Sequence, residues 1–208
     1  YLVLPAFGLA SLVCAAGSVR ARIGKLLMAG GVLAGVSMLW IGMMTAVPQD
    51  SRPYIGSSTD NTALNLVTNY NGLGRLTGSD DTPGPGLGNA GPHYGGDAAI
   101  DRLFNPQLEG EVSWLIPTSL FAVAAAFTVA FRKRRTNGAW IGAILWTGWF
   151  GVHAAVFSLQ EGIFHPYYTA ALAPSIAALT GIGAVATWRL SKGSAWWAAA
   201  AAGAIAGG

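Results

Sequence analysis

The chain has 208 residues, of which 52% are hydrophobic and only 10% are charged. Soluble domains carry about 25% charged residues, so this composition excludes an ordinary soluble domain and favours lipid as a second solvent. The formal net charge is +3, which by itself does not indicate a nucleic-acid partner. The single cysteine, Cys14, excludes an intramolecular disulfide.

Six apolar stretches are long enough, or nearly long enough, to cross a membrane, which takes about 20 residues. Open sheets would leave edge backbone groups unpaired in lipid, so we expect helices. The predicted spans are about residues 1–17, 26–47, 113–131, 139–159, 166–188 and 195–208. We expect Pro117 and Pro174 to kink their helices. The chain begins at Tyr1 and ends at Gly208 inside apolar sequence, so we expect the first and last spans to be truncated.

The predicted fold is therefore an all-α polytopic membrane protein with about six transmembrane helices. Two spans occupy residues 1–47, one long loop that contains short helices occupies 48–112, and the remaining spans occupy 113–208.

Charge divides the loops between the two sides of the membrane. Nine of the twelve basic residues fall in loops that parity places on one side: Arg20, Arg22, Lys25, Arg132, Lys133, Arg134, Arg135, Arg189 and Lys192. All nine acidic residues fall on the other side. The positive-inside rule makes the basic side cytoplasmic. This predicts a multi-pass protein of the bacterial plasma (inner) membrane, with loop 48–112 extracytoplasmic and no nucleic-acid partner.

The long outer loop exceeds the length of a simple connector, and loops of that kind are usually functional or disordered. Residues 59–71 read as a short helix in which Thr59 or Asp60 acts as N-cap, and Gly72 to Gly74 end it. Residues 78–96 are rich in glycine and proline, so we expect that tract to be flexible.

Acidic residues of the same loop leave a divalent cation possible. Asp80 and Asp81 would bind it together with Asp97 or Asp101. A solvated acidic loop is the favoured interpretation, and we predict no metal site and no certain cofactor.

The second outer connection, residues 159–169, is very short and crowds polar groups where two helices meet. Glu161, His165, Tyr167 and Tyr168 lie there, an arrangement that suits an anionic head group, whose phosphate oxygens need donors. The equally weighted alternative is that the tyrosines form an interfacial belt and His165 caps the fifth span. His153, well inside a span, is expected to hydrogen-bond to a neighbouring helix or to line a functional cavity.

Two stretches resemble a known family. One comprises residues 52–61 (RPYIGSSTDN) and 69–78 (NYNGLGRLTG), and the other comprises 162–179 (GIFHPYYTAALAPSIAAL). Both are similar to the bacterial, largely actinobacterial, branch of the protein mannosyltransferase and aminoarabinose transferase superfamily, membrane glycosyltransferases of the GT-C type. The segments RLFNP at 102–106 and WLIP at 114–117 fit the same branch.

The resemblance implies transfer of a sugar from a polyprenyl-phosphate donor to a lipid, protein or glycan acceptor at the outer face. In this family a carboxylate of the first outer loop usually serves as general base. That loop would lie upstream of Tyr1, so no catalytic residue is assigned.

Developing charge on the departing phosphate calls for donors near the membrane surface. We therefore predict that the donor phosphate or sugar contacts members of a polar set, namely Arg52, Arg75, Arg102, His165, Tyr167 and Tyr168. Asp60, Asn61 and Glu161 are predicted to bind sugar or acceptor hydroxyls, with capping of the loop helix as the alternative for Asp60 and Asn61.

Two other functions remain open on the sequence alone. A polytopic transporter or flippase would use kinked helices and a polar outer site, but it should show repeat symmetry or intramembrane charges, and beyond His153 the sequence shows neither. A non-catalytic membrane scaffold would use the long loop to bind cell-wall partners.

Overall fold

Long apolar helices dominate the structure. The computed structural model describes residues 1–78, 94–131 and 138–206. Within those ranges no strand occurs, and four helical stretches are long and apolar enough to cross a membrane: Val19–Ala46, Ser113–Phe131, Gly138–Leu159 and Pro166–Ser191. The prediction of an all-α protein with membrane-spanning helices is confirmed.

The α-helices of the described residues are α1 (Leu4–Cys14), α2 (Val19–Ala46), α3 (Ala63–Thr68), α4 (Gly74–Thr77), α5 (Ile116–Phe131), α6 (Gly138–Leu159), α7 (Ala173–Ser191) and α8 (Ala195–Ala206). Short 3₁₀ helices cover Gln49–Ser51, Arg102–Phe104, Ser113–Leu115 and Pro166–Leu172, and a π turn at Asn69–Leu73 joins α3 to α4. Because α1 and α8 have only 11 and 12 residues, the count of six spans stays a prediction.

The second span begins earlier than predicted, because Ser18 caps it. The Ser18 hydroxyl accepts from the Ala21 amide at 3.3 Å, and α2 therefore includes Arg20, Arg22 and Lys25 in its first two turns. The Arg22 guanidinium reaches back to the carbonyls of residues 12 and 13, at 2.9 and 3.1 Å. These are carbonyls of the last turn of α1, which have no intrahelical donors.

The two helix prolines lie in the first turn of their α-helices. Pro117 is the second residue of α5 and Pro174 the second residue of α7. An amide at that position has no intrahelical acceptor, so proline loses nothing there and its fixed φ suits the first turn. Each proline lies just after a 3₁₀ turn within its helical stretch, and a kink at either position stays a prediction.

The core extends from the membrane helices into the loop. Its largest cluster joins residues of α5, α6, α7 and the connection between α6 and α7 to residues of the last part of the loop: Leu103, Leu108, Val112, Ile116, Ala122, Phe150, Phe157, Phe164, Leu172, Ile176 and Leu179. The Ser113 hydroxyl donates to the Leu103 carbonyl and so ties the loop segment to the start of the next span. The last part of the loop is thus built into the helix bundle.

Small residues let the helices of the bundle approach closely. Gly183 of α7 lies against Ala122 of α5, and Gly148 of α6 lies against Ala6 of α1. Without a hydrophobic driving force between helices in lipid, such close packing is what holds them together.

Replacing Gly183 by alanine would place a Cβ 2.6 Å from the Cα of Ala122, so α5 and α7 would have to separate. Overpacking of this kind costs about 1–3 kcal/mol, and we expect a lower melting temperature for the protein purified in detergent. Gly181→Ala is the matched control on the same helix, because nothing lies within 4 Å of a Cβ built there. Equal melting temperatures for the two variants would contradict the close approach of α5 and α7.

Candidate functional site

The short connection between α6 and α7 is the centre of the candidate site. The α6 helix ends at Leu159, and the chain reaches the 3₁₀ helix Pro166–Leu172 after six residues. The Trp149 indole donates to the Ala171 carbonyl at 2.9 Å, which fixes the 3₁₀ helix against α6. Phe164 is fully buried beneath the connection, so the backbone beside His165 is anchored from below.

One arm of the long loop, residues 70–78, docks on this connection through its backbone. The Gly162 amide donates to the Arg75 carbonyl at 2.9 Å, and the Glu161 amide donates to the Leu76 carbonyl at 3.2 Å. A Cβ at position 162 would lie 2.7 Å from the Cα of Arg75, so the approach requires glycine. Gly78, at φ +70°, ends α4 with a left-handed residue, the usual helix C-terminus for glycine.

This docking places the Arg75 guanidinium at the centre of the connection. Nη1 donates to the Ile163 carbonyl at 2.6 Å, and Nε donates to the Tyr70 carbonyl at 2.8 Å. The guanidinium carbon lies 4.3 Å from the Tyr70 ring centroid and 5.9 Å from that of Tyr168. These two hydrogen bonds use two of the five N–H groups of an arginine, and neither acceptor is a carboxylate.

The second arm, residues 94–105, is held by a buried arginine. Arg102 is 1% exposed, and its Nη1 donates to the carbonyls of Phe157 and Gln160 at 3.0 and 2.8 Å. Its Nε donates to the Asp97 carbonyl at 2.7 Å. The carbonyls at the end of α6 lack intrahelical donors and carry the negative end of the helix dipole, so a cation suits this position. Burial lowers the pKa of Arg102, and the Asp97 carboxylate opposes that shift.

Tyr94 reaches the site on this second arm. Gly95 lies against the Phe164 ring, where a Cβ would come within 2.7 Å of the Cε1 atom, and the Asn105 side-chain amide donates to the Gly95 carbonyl at 2.7 Å. The Tyr94 ring consequently stacks on the His165 imidazole, with centroids 4.8 Å apart and an interplanar angle of 16°. Sequence reasoning missed Tyr94, although an aromatic residue followed by two glycines at the end of the glycine-rich tract was the available signal.

Four aromatic side chains and one guanidinium therefore converge. His165 also stacks on Tyr167, with centroids 5.2 Å apart, and meets Tyr168 edge-on at 5.5 Å. The Tyr167 and Tyr168 rings lie 4.8 Å apart. We call Arg75, Tyr94, His165, Tyr167 and Tyr168 the junction cluster. It offers guanidinium, phenol and imidazole donors at the loop-side end of the helices.

Glu161 borders the junction cluster and is exposed. Its backbone pairs with α4, and its Cβ lies 3.2 Å from a Cβ built on Gly78. Of the nine predicted site residues, the structure thus brings together Arg75, Glu161, His165, Tyr167 and Tyr168. No hydrogen bond or ring contact joins the other four predicted residues, Arg52, Asp60, Asn61 and Arg102, to the side chains of the cluster.

Arg102 bonds carbonyls at the end of α6, and Arg52 bonds carbonyls at the end of α2. Arg52 Nη2 donates to Thr45 and Val47, both at 2.8 Å, and Nη1 donates to the Asn61 carbonyl at 2.9 Å. The Asn61 side chain accepts from the Ile55 amide at 2.7 Å. These hydrogen bonds close a turn over residues 52–62, and phosphate or sugar binding by the turn stays a prediction.

Asp60 supports the start of the loop helix, but it is not the N-cap. Thr62 caps α3 by accepting from the Asn65 amide at 3.0 Å. Asp60 in turn accepts from the Thr62 hydroxyl at 2.7 Å and from the Thr62 amide at 2.9 Å. The hydroxyl bond is the main cause of a lowered pKa for Asp60. The predicted helix start at residue 59 or 60 is corrected to residue 63.

His153 lies in the bundle, and its partner is on its own helix. It is buried, its Nδ1–H donates to the Trp149 carbonyl at 2.8 Å, and its ring packs between those of Trp149 and Phe157. The expected hydrogen bond to a neighbouring helix is therefore not the one formed.

No group of three potential metal ligands occurs among the residues that the structure describes. Asp80, Asp81 and most of the glycine-rich tract lie outside those residues, so the predictions made for them are untested. The basic run 132–135 lies outside them as well.

Fold and site together define a helical membrane protein with a cationic and aromatic cluster where its loop meets its helices. The chain is 29% identical over 282 residues to "Putative mannosyltransferase YkcB" of Bacillus subtilis (strain 168), which covers 96% of the chain and 39% of that protein. It is 30% identical over 272 residues to "Putative mannosyltransferase YycA" of the same organism, covering 95% of the chain and 40% of that protein. Over nearly its whole length the sequence of the chain is thus mannosyltransferase-like.

The chain spans about two fifths of the length of these curated relatives. Both alignments are also longer than the chain, so the relatives carry insertions relative to it. No family model matches the chain, and no solved structure matches it significantly.

Replacing Arg102 by methionine should release the second arm, since three carbonyls would lose their donor. The Phe157 and Gln160 carbonyls are buried, and a buried acceptor without a donor costs about 1–3 kcal/mol, so we expect a loss of roughly 2–6 kcal/mol in the free energy of unfolding. Chemical denaturation in detergent measures the loss, and limited proteolysis should cut faster within residues 94–105. Arg20→Met, at an exposed arginine, should change stability by no more than about 0.5 kcal/mol. Similar effects of both substitutions would refute the anchoring role of Arg102.

Proposed function

We propose that the protein transfers a sugar from a polyprenyl-phosphate donor to an acceptor at the extracytoplasmic face of the bacterial plasma membrane. The observation that carries the proposal is the convergence of Arg75, His165, Tyr167 and Tyr168 on one short helix connection. The names of the curated relatives support the transferase class, and mannose is the sugar that those names suggest.

The chemistry of the departing group explains why such a cluster is useful. When the sugar leaves its carrier, negative charge grows on the phosphate oxygens, and fixed donors aimed at those oxygens lower the barrier. Arg75 has N–H groups beyond the two that bind carbonyls, and a guanidinium fork matches phosphate geometry. The imidazole and the two phenols add further donors beside it.

Rigidity makes these donors more effective. Arg75 is held by two carbonyls and two rings, and His165 is held between the rings of Tyr94 and Tyr167. Donors that already point at the reacting group need no reorganisation during the reaction, which is where electrostatic catalysis gains most.

The distribution of charge supports the proposed side of the membrane. Arg20, Arg22 and Lys25 lie in the first turns of α2, and Arg189 and Lys192 lie at the end of α7. The junction cluster lies at the opposite end of α7, beside Pro166–Leu172. The positive-inside rule assigns the basic ends to the cytoplasm, and the loop to the extracytoplasmic side.

The acceptor is proposed to be a membrane lipid, a protein or a glycan, and the catalytic carboxylate is not assigned to any residue of this chain. The relatives are more than twice as long as the part that this chain matches. Tests of transfer activity therefore require the full-length protein.

Arg75→Ala and His165→Ala, each made in the full-length protein, should reduce sugar transfer. Losing one fixed donor to developing charge costs about 10²–10³ in rate. Membranes containing each variant would receive radiolabelled polyprenyl-phosphate mannose, and both acceptor labelling and free polyprenyl phosphate would be measured. Ile100→Ala is the control, because Ile100 belongs to the same loop, is 88% exposed and is not one of the predicted site residues.

Two outcomes of this experiment decide against the proposal. Wild-type turnover in both cluster variants at equal expression would remove the cluster from catalysis. Transport of the labelled lipid without release of polyprenyl phosphate in proportion to acceptor labelling would favour a flippase.

A further inference from the structure

A groove runs along the bundle beside the junction cluster, next to the start of α5. It lies between the segment Glu111–Leu115 and residues 167–180, and it has a volume of about 580 Å³. That size falls within the roughly 300–1,000 Å³ of small-molecule sites. The groove begins at the loop-side end of the helices and continues to Thr180, in the second turn of α7.

The walls of the groove select a molecule with a hydrocarbon chain. Below the rim they are mainly aliphatic, formed by Leu115 of the 3₁₀ turn and by Ala173, Ile176 and Ala177 of α7. Both the Ala173 and the Ala177 side chains are exposed. At membrane depth an open apolar groove of this kind takes up an acyl or isoprenoid chain, because water is absent there.

The rim carries a different chemistry. Its residues are Glu111, Trp114 and Tyr167, and Glu111 is the one charged side chain among the described residues that line the groove. A carboxylate accepts hydrogen bonds from hydroxyl groups but repels a phosphate. Aromatic residues with a polar atom suit the boundary between a lipid head group and its tail. The rim therefore favours an uncharged head group that bears hydroxyls.

Tyr167 connects the groove to the junction cluster. One side of its ring stacks on His165 at 5.2 Å, and the residue also lines the groove rim. Only the Tyr167 ring would then lie between a head group at the rim and the rest of the cluster, which contains Arg75. The Arg75 guanidinium in the cluster and the Glu111 carboxylate at the rim would separate an anionic ligand from a hydroxylated one.

We propose that this groove binds an uncharged, hydroxylated membrane lipid, with its chain along α7 and its head group at Glu111 and Tyr167. Resting on the proposed function, we assign this lipid as the acceptor, so that its hydroxyl is presented to the sugar held by the junction cluster. Glu111 is a positioning residue for the head group in this arrangement.

Photo-crosslinking tests the site without requiring turnover. The full-length protein would be placed in phosphatidylcholine nanodiscs with glucosyl diacylglycerol that carries a diazirine on one acyl chain. We expect labelled peptides from the segment Glu111–Leu115 and from the first half of α7. Ala177→Trp, which fills the groove, should lower the labelling of these peptides at least fivefold. Ala155→Trp, at an exposed alanine of α6 outside the groove, should leave it unchanged.

Charge reversal at the rim identifies the head group that the groove prefers. Glu111→Lys should lower labelling by the glucosyl lipid and raise labelling by a diazirine-bearing polyprenyl phosphate. If polyprenyl phosphate instead labels the wild-type groove more strongly than the glucosyl lipid does, the groove holds the donor tail and the proposal is overturned. Equal labelling of the wild type and Ala177→Trp would also overturn it.

Failure of this proposal and failure of the proposed function are distinguishable. Normal transfer activity without groove labelling would reject only the lipid site. Specific labelling in a protein that releases no polyprenyl phosphate would keep the lipid site and reject the transferase.

Discussion

A buried guanidinium at the end of a membrane helix is the interaction on which the loop architecture depends. The last carbonyls of α6 would have no donors where the chain leaves the helix. Arg102 donates to two carbonyls there, and a third hydrogen bond, to the Asp97 carbonyl, holds its own arm. A charge this deeply buried is unfavourable unless its hydrogen bonds are made. The bonds therefore allow little alternative placement of residues 94–105, and with them of Tyr94.

The first arm uses a different device for the same purpose. Its backbone pairs with residues 161 and 162 at a distance that only a glycine at position 162 permits. The Arg75 guanidinium then donates a hydrogen bond to the Ile163 carbonyl. Both arms contact the connection between α6 and α7. These contacts hold in place a segment that would otherwise be a mobile surface turn, and with it the imidazole, phenol and guanidinium groups. The proposed function depends on that immobilisation.

Sequence patterns predicted the helices well because apolar length is a local property. The crowding of polar groups at the connection 159–169 was also predictable, since these groups are close in sequence. The hydrogen bonds of Arg52 and Arg102 were not predictable. The sequence alone does not show whether an arginine in a loop will bind a ligand or the carbonyls at a helix end. The difference depends on which carbonyls the tertiary fold brings near. Tyr94 was missed for a related reason, since stacking on His165 joins residues 71 positions apart.

The central claim is that the junction cluster holds the carrier phosphate. Cryo-electron microscopy of the full-length protein with bound polyprenyl monophosphate tests it most directly. We expect phosphate density within hydrogen-bond distance of the Arg75 guanidinium, bordered by the rings of His165 and Tyr168. Phosphate density away from Arg75, with the cluster side chains contacting only protein or water, would contradict it.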